Sequence, residues 1–159
     1  MNLHEISMRP ASFGPPGCVQ RFPTAAESVR RRNRKEITVK QHRTELPTRL
    51  LAGGVCIQAQ DWADLNVARI RFPKGADATP LLEGLPGNLC QCPHWGTVLA
   101  GSIHVRYADG TEETVRAGDV YYWPPGHTVR VDEDYEAVEF SPSGPMCTVI
   151  DHLNSKLGN

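Results

Sequence analysis

The chain has 159 residues, of which 40% are hydrophobic and 22% charged, and its formal net charge is −1. Those values suit one globular domain long enough to bury a core, and they exclude a chain kept open by charge repulsion. No stretch approaches the ~20 consecutive apolar residues of a membrane-spanning helix.

Residues 1–36 carry Pro10, Pro15, Pro16 and Pro23, a basic block at Arg30, Arg31, Arg32, Arg34 and Lys35, and no sustained apolar periodicity. They are expected to form a flexible tail, with a short helix near residues 25–32. The basic block reads as a solvated segment rather than a nucleic-acid site, because no basic stripe continues into the rest of the chain. Arg9 and the prolines interrupt any apolar run of a signal peptide, so the expected location is the cytoplasm.

A single domain is expected over residues 37–159. Short β-rich runs at residues 55–60, 65–72, 95–99, 103–107, 111–115, 120–123, 128–131 and 136–140 alternate with Gly- and Pro-containing turns. This spacing indicates an all-β sandwich or barrel. Asp109-Gly110 joins two of the runs and suits a tight primed hairpin turn. Alternation puts Ile103, Val105 and Tyr107 on one face, with His104 and Arg106 facing outward. Met146, Val149, Ile150, Leu153 and Leu157 fall at helical spacing, which predicts an amphipathic C-terminal helix packed on the barrel.

The most informative stretch is Cys90-Gln91-Cys92-Pro93-His94-Trp95-Gly96. In an extended strand, side chains two apart share a face. Cys90, Cys92 and His94 then line up as thiol, thiol and imidazole, a poor apolar surface but a good metal-ligand set. Cys90 and Cys92 are too close along one strand to form a disulfide easily. Pro124-Pro125-Gly126-His127 adds a second imidazole on a rigid turn. Cys18, Cys56 and Cys147 stand alone and read as buried small hydrophobes or bystanders. Trp95, Tyr121, Tyr122 and Trp123 read as barrel packing, and Glu139 as an exposed carboxylate, although a base at the barrel mouth is the competing reading. A metal-free pocket is the alternative to the metal site as a whole.

Two segments resemble the sequence motifs of the cupin superfamily. Gly118-Asp119, then Pro124-Pro125-Gly126, resembles the second motif, and Val98-Leu99-Ala100-Gly101 resembles the strand and turn that close the first. The resemblance implies a double-stranded β-helix, or jelly-roll barrel, over about residues 65–142. By that count His94 falls at the family's glutamate and Cys90 at its second histidine. Asn88 or Gly87 takes the place of the first histidine, and Val129 that of the last. The substitute ligand set is therefore Cys90, Cys92, His94 and His127. Such a set favours a divalent transition metal, zinc first, with iron or copper behind it. Four protein ligands would close the site and make it structural, whereas three would leave a position for water or substrate.

The resemblance implies a metal-binding protein with a small-molecule ligand in the barrel, of oxygenase, isomerase or cyclase type. The alternative is a non-catalytic ligand or metal sensor, or an auxiliary protein with a structural zinc site. It also implies a homodimer.

Overall fold

The computed structural model describes residues 40–158. The expectations for the tail, for its helix and basic block, for Cys18 and for a domain start at Ile37 lie outside the described residues.

Among the described residues, seven strands form one antiparallel system: β1 (Thr48–Ala52), β2 (Val55–Trp62), β3 (Leu65–Phe72), β4 (His94–Tyr107), β5 (Glu112–Arg116), β6 (Val120–Trp123) and β7 (His127–Pro142). They are hydrogen-bonded in the order β1-β2-β3-β7-β4-β5, and β6 also pairs with β4. The helix Ser143–Leu157 follows β7 directly. The result is a jelly-roll barrel, the architecture that the resemblance implies and that falls within the sandwich or barrel indicated by strand spacing, with the C-terminal helix that apolar periodicity predicts.

Two long strands organise the barrel. β4 spans what reads in sequence as two runs, 95–99 and 103–107, and β7 likewise absorbs 128–131 and 136–140. They pair along almost their whole length, from Trp95 opposite Phe140 to Tyr107 opposite His127, with register shifts between Val98 and Ile103. Extra residues on one side of a ladder bend the strands and increase their twist. This bend lets one half of β4 pair with β6 and the other half with β5. Gly101 sits in it at φ 73°, and a Cβ there would overlap the Asp134 carbonyl. The glycine that ends a run in the sequence is thus a bend inside one strand. β1 escapes sequence reading because Thr48, Arg49 and Leu51 are exposed and Leu50 alone is buried, so no alternating pattern stands out.

The hairpin between β4 and β5 differs from expectation in detail. Its loop is residues 108–110, and only Gly110, at φ 85°, is left-handed. Asp109 Oδ1 instead accepts hydrogen bonds from the Thr111 backbone N–H and hydroxyl. That is turn chemistry for a three-residue loop, not for a two-residue primed turn.

Ile103 and Val105 point inward and are fully buried, as alternation requires, and they join Ile57, Ala59, Val98, Val131 and Ala137 in the core. His104 faces away from this core and meets Thr114 and Glu112. Met146 and Val149 of the helix are buried against the barrel, and Leu153 and Leu157 pack beside them. Trp95 and Tyr122 depart from the packing expectation. They are 45% and 51% exposed and stack on each other on the outer face. No helix among the described residues is long and apolar enough to cross a membrane.

Replacing Gly101 with alanine forces a Cβ into the left-handed region and against the Asp134 carbonyl. We expect a loss of at least ~2 kcal/mol, read as a lower urea midpoint. An unchanged midpoint would contradict the bend described for β4.

Candidate metal centre

Backbone hydrogen bonds bring the two chemistry-bearing segments together. Cys90 and His127 form an isolated antiparallel bridge, in which Cys90 N–H donates to the His127 carbonyl at 2.8 Å. In return the Cys90 carbonyl accepts from Gly126 N–H at 2.7 Å and from His127 N–H at 3.4 Å. Residues directly opposite in such a pair lie within ~5.5 Å at Cα. Gly126, at φ 93°, makes the corner that delivers its N–H to this carbonyl. His94 starts β4 opposite Trp123. Gln91 is exposed while Cys90, Cys92 and His94 are all buried, so the alternation expected of this segment holds even though residues 91–93 are not a regular strand.

The side-chain donor atoms of Cys90, His94 and His127 all lie within 4.8 Å of one another. Cys90 Sγ is 3.4 Å from His94 Nε2, close to the ~3.5 Å that two donors on a shared tetrahedral zinc ion require. Each imidazole is oriented from behind. His94 Nδ1 faces Glu139 Oε1 at 3.0 Å and Ser141 Oγ at 2.8 Å, and His127 Nδ1 donates to the Pro124 carbonyl at 2.7 Å. With both Nδ1 atoms engaged, Nε2 of each ring is the nitrogen left to coordinate. A ring N–H held by a carboxylate or carbonyl is the usual support of a metal-ligating histidine. By donor chemistry, spacing and support, these residues fit a transition metal.

Cys92 stands apart from the three. It is completely buried, but its Sγ lies 3.5 Å from the Pro93 carbonyl and is not among the clustered donors. Burial, followed by the charges of Cys90 and Glu139, pushes its thiol far above the ordinary range. Cys90 behaves oppositely. Burial acts to raise it, but hydrogen bonds from His127 and His94, together with their charge, bring it down to about 6. For His94, burial opposes the charged ring, yet Glu139 and the Cys90 sulfur raise it to about 10. Of the other cysteines, Cys56 is a buried free thiol and Cys147 is not free.

Glu139 overturns the expectation of an exposed carboxylate, because it is only 3% exposed. Its strand alternates Ala137, Glu139 and Ser141 inward against Val138 and Phe140 outward. That period of two was legible, but the inward side could not be chosen without knowing which face meets the core. Tyr121 hydroxyl donates to Glu139 Oε2 at 3.0 Å, and Tyr135 hydroxyl donates to Tyr121. Both tyrosines are held well above their usual range, chiefly by burial. Gly96 makes this possible, since a Cβ there would overlap the Tyr121 ring. Trp123 stacks on Tyr121 at 4.1 Å and walls the two histidines.

The three donors and Glu139 line one part of a cavity of about 260 Å³. Its remaining wall is mostly aliphatic and includes Ile57, Ile70, Leu82, Val131, Val149 and Leu153. Val129, at the position where the resemblance would put a histidine, is part of this apolar wall.

No family model and no curated protein matches the chain. Solved structures do. A single-substitution mutant of Bacillus subtilis oxalate decarboxylase matches with a TM-score of 0.50 at 18% identity, covering 65% of this chain and 29% of that one. A four-residue replacement mutant of the same enzyme gives 0.51 at 18% identity with the same coverage. An RmlC-like cupin from Shewanella frigidimarina gives 0.49 at 19% identity, covering 65% of this chain and 88% of that one. The chain thus spans under a third of the length of the decarboxylase it matches, and the likeness is one of fold.

The shifted groups set a pH dependence for metal loading. Between roughly pH 7 and 9, Cys90 is already ionised while His94 keeps its proton, so loading through Cys90, His94 and His127 displaces one proton. Apparent affinity is expected to rise about tenfold per pH unit over that window, as measured by competition with a chelator. A slope of two protons would mean that Cys92 is also deprotonated on binding, and a flat profile would contradict the His94 assignment.

Proposed function

We propose, for a chain with the cupin fold, that Cys90, His94 and His127 hold a divalent transition metal, zinc ahead of iron or copper. The apolar cavity then receives a small organic molecule beside it. The observation that carries this reading is the convergence of one sulfur and two nitrogen donors, both rings braced from behind, on the wall of a largely apolar cavity. Two nitrogens and one sulfur suit zinc, and three protein ligands are the number a catalytic site uses. A metalloenzyme of oxygenase, isomerase or cyclase type is therefore favoured over a sensor or auxiliary protein with a closed structural site. A metal in this position supplies Lewis-acid polarisation of a substrate oxygen or activation of water. The chain's own residues do the rest. Glu139 and Ser141 fix the His94 ring, Pro124 fixes His127, and the aliphatic wall excludes bulk water.

A second reading has its own observation. Cys90, His94 and Glu139 stand in the order thiol, base and orienting carboxylate, at 3.4 and 3.0 Å. This is the relation that activates a cysteine nucleophile without a metal. The homodimer is proposed as well, supported by the apolar surface around Trp95, Val120, Tyr122 and Phe140, all exposed.

Metal content after expression in supplemented medium separates the readings. Wild type and Cys92→Ala are expected to carry about one equivalent, and Cys90→Ala and His127→Ala to lose most of it. Glu139→Gln should retain the site with roughly 10- to 100-fold weaker affinity. Equal metal in all five proteins, or none in wild type, would remove the proposed centre. In the metal-free case, rapid stoichiometric alkylation of Cys90 would favour the nucleophile.

A further inference from the structure

We infer that the molecule taken up beside the candidate metal centre is uncharged and largely apolar, with a single oxygen-bearing head group, rather than a carboxylate or other anion. This deepens the reading above and rests on it for the placement of the head group.

The first support is the charge of the lining. Among the described residues, no lysine or arginine lines the cavity. The carboxylates that line it are Glu139, buried beside His94, and Asp77, exposed at the edge. An incoming anion would find no lysine or arginine of the chain to pair with along these walls, and its remaining charge would be desolvated against aliphatic side chains, which is costly. A neutral molecule meets no such penalty.

The second support is shape and surface. Leu82 from the 3₁₀ turn Thr79–Leu82, Val149 and Leu153 from the C-terminal helix, and Ile57, Ile70 and Val131 from the barrel line the space. A volume of about 260 Å³ lies just under the ordinary range of ligand sites, so the occupant is a small one, on the order of ten non-hydrogen atoms. Burying its apolar surface against these side chains favours the complex.

The third support is an orphaned donor. Trp123 is buried and lines the cavity, and its Nε1–H has no hydrogen-bond acceptor. Buried donors are rarely left unpaired in folded proteins. A hydroxyl or carbonyl oxygen on a ligand that reaches this buried edge of the ring would satisfy it, whereas a hydrocarbon with no oxygen would not.

Benzyl alcohol and benzoate form a matched pair that tests this, with oxalate as a small dianion. Each is titrated into zinc-loaded full-length protein by calorimetry. In parallel, the indole N–H resonance of Trp123 is followed after assignment by Trp123→Phe. Benzyl alcohol is expected to bind at least tenfold more tightly than benzoate, with no detectable binding of oxalate, and to move the Trp123 resonance. Val149→Trp and, independently, Leu153→Trp should weaken benzyl alcohol at least tenfold while keeping wild-type zinc stoichiometry. Benzoate or oxalate binding as tightly as the alcohol would overturn the inference. So would failure of benzyl alcohol to bind, an unmoved Trp123 resonance, or retention of binding in both folded tryptophan variants. Loss of zinc stoichiometry in wild type, with alcohol binding intact, would instead count against the metal centre and leave the ligand class standing.

Discussion

Two short backbone segments, one entering β4 and one leaving β6, are tied by reciprocal hydrogen bonds between Cys90 and His127. Everything proposed for the site depends on this bridge. Without it, a thiol and an imidazole thirty-seven positions apart in the chain would have no reason to share a point in space. With it, the pairing geometry of an antiparallel ladder puts their side chains together. The His94–Trp123 pair, four residues further along in the same antiparallel register, adds the third donor. Backbone pairing is insensitive to the identity of the side chains it carries. The barrel can therefore hold cysteine and histidine where the resembling family carries histidine and glutamate.

The second constraint is the burial of Glu139. A carboxylate at 3% exposure is tolerated only if its oxygens are hydrogen-bonded or paired. Here one oxygen faces the His94 ring and the other accepts from Tyr121. The carboxylate in turn fixes which nitrogen of His94 is free. A chain of contacts thus runs from Tyr135 through Tyr121 and Glu139 to His94, and it crosses β4 where Gly96 offers no side chain. Removing one member leaves a buried polar group without its partner, the most expensive local change such a network can suffer.

Much of this was legible in the sequence because it follows from period and punctuation. The period-two runs of Ile103, Val105 and Tyr107, the helical spacing from Met146 to Leu157, and the Cys-x-Cys-x-His alternation each specify an inward face, and the structure keeps each of them. The union of two runs into β4 across Gly101 was not legible. A glycine at positive φ closes a strand in one context and bends it in another, and only the partner strand decides. Glu139 was hidden for a related reason. Its alternation is clear, but a carboxylate on the inward face goes against hydrophobic patterning, and such violations are expected at functional sites. Cys92 illustrates a further limit. Sequence period places it with Cys90 and His94, whereas Pro93 and the irregular backbone around it separate its sulfur from the other donors.

X-ray absorption at the edge of the bound metal in the purified full-length protein probes the centre most directly. The expected first coordination shell has one sulfur at ~2.3 Å and two imidazole nitrogens at ~2.0 Å, completed by light-atom scatterers from solvent. A shell with two sulfurs would bring Cys92 into the site, and a shell with none would show that Cys90 and the bridge that positions it play no part in holding the ion.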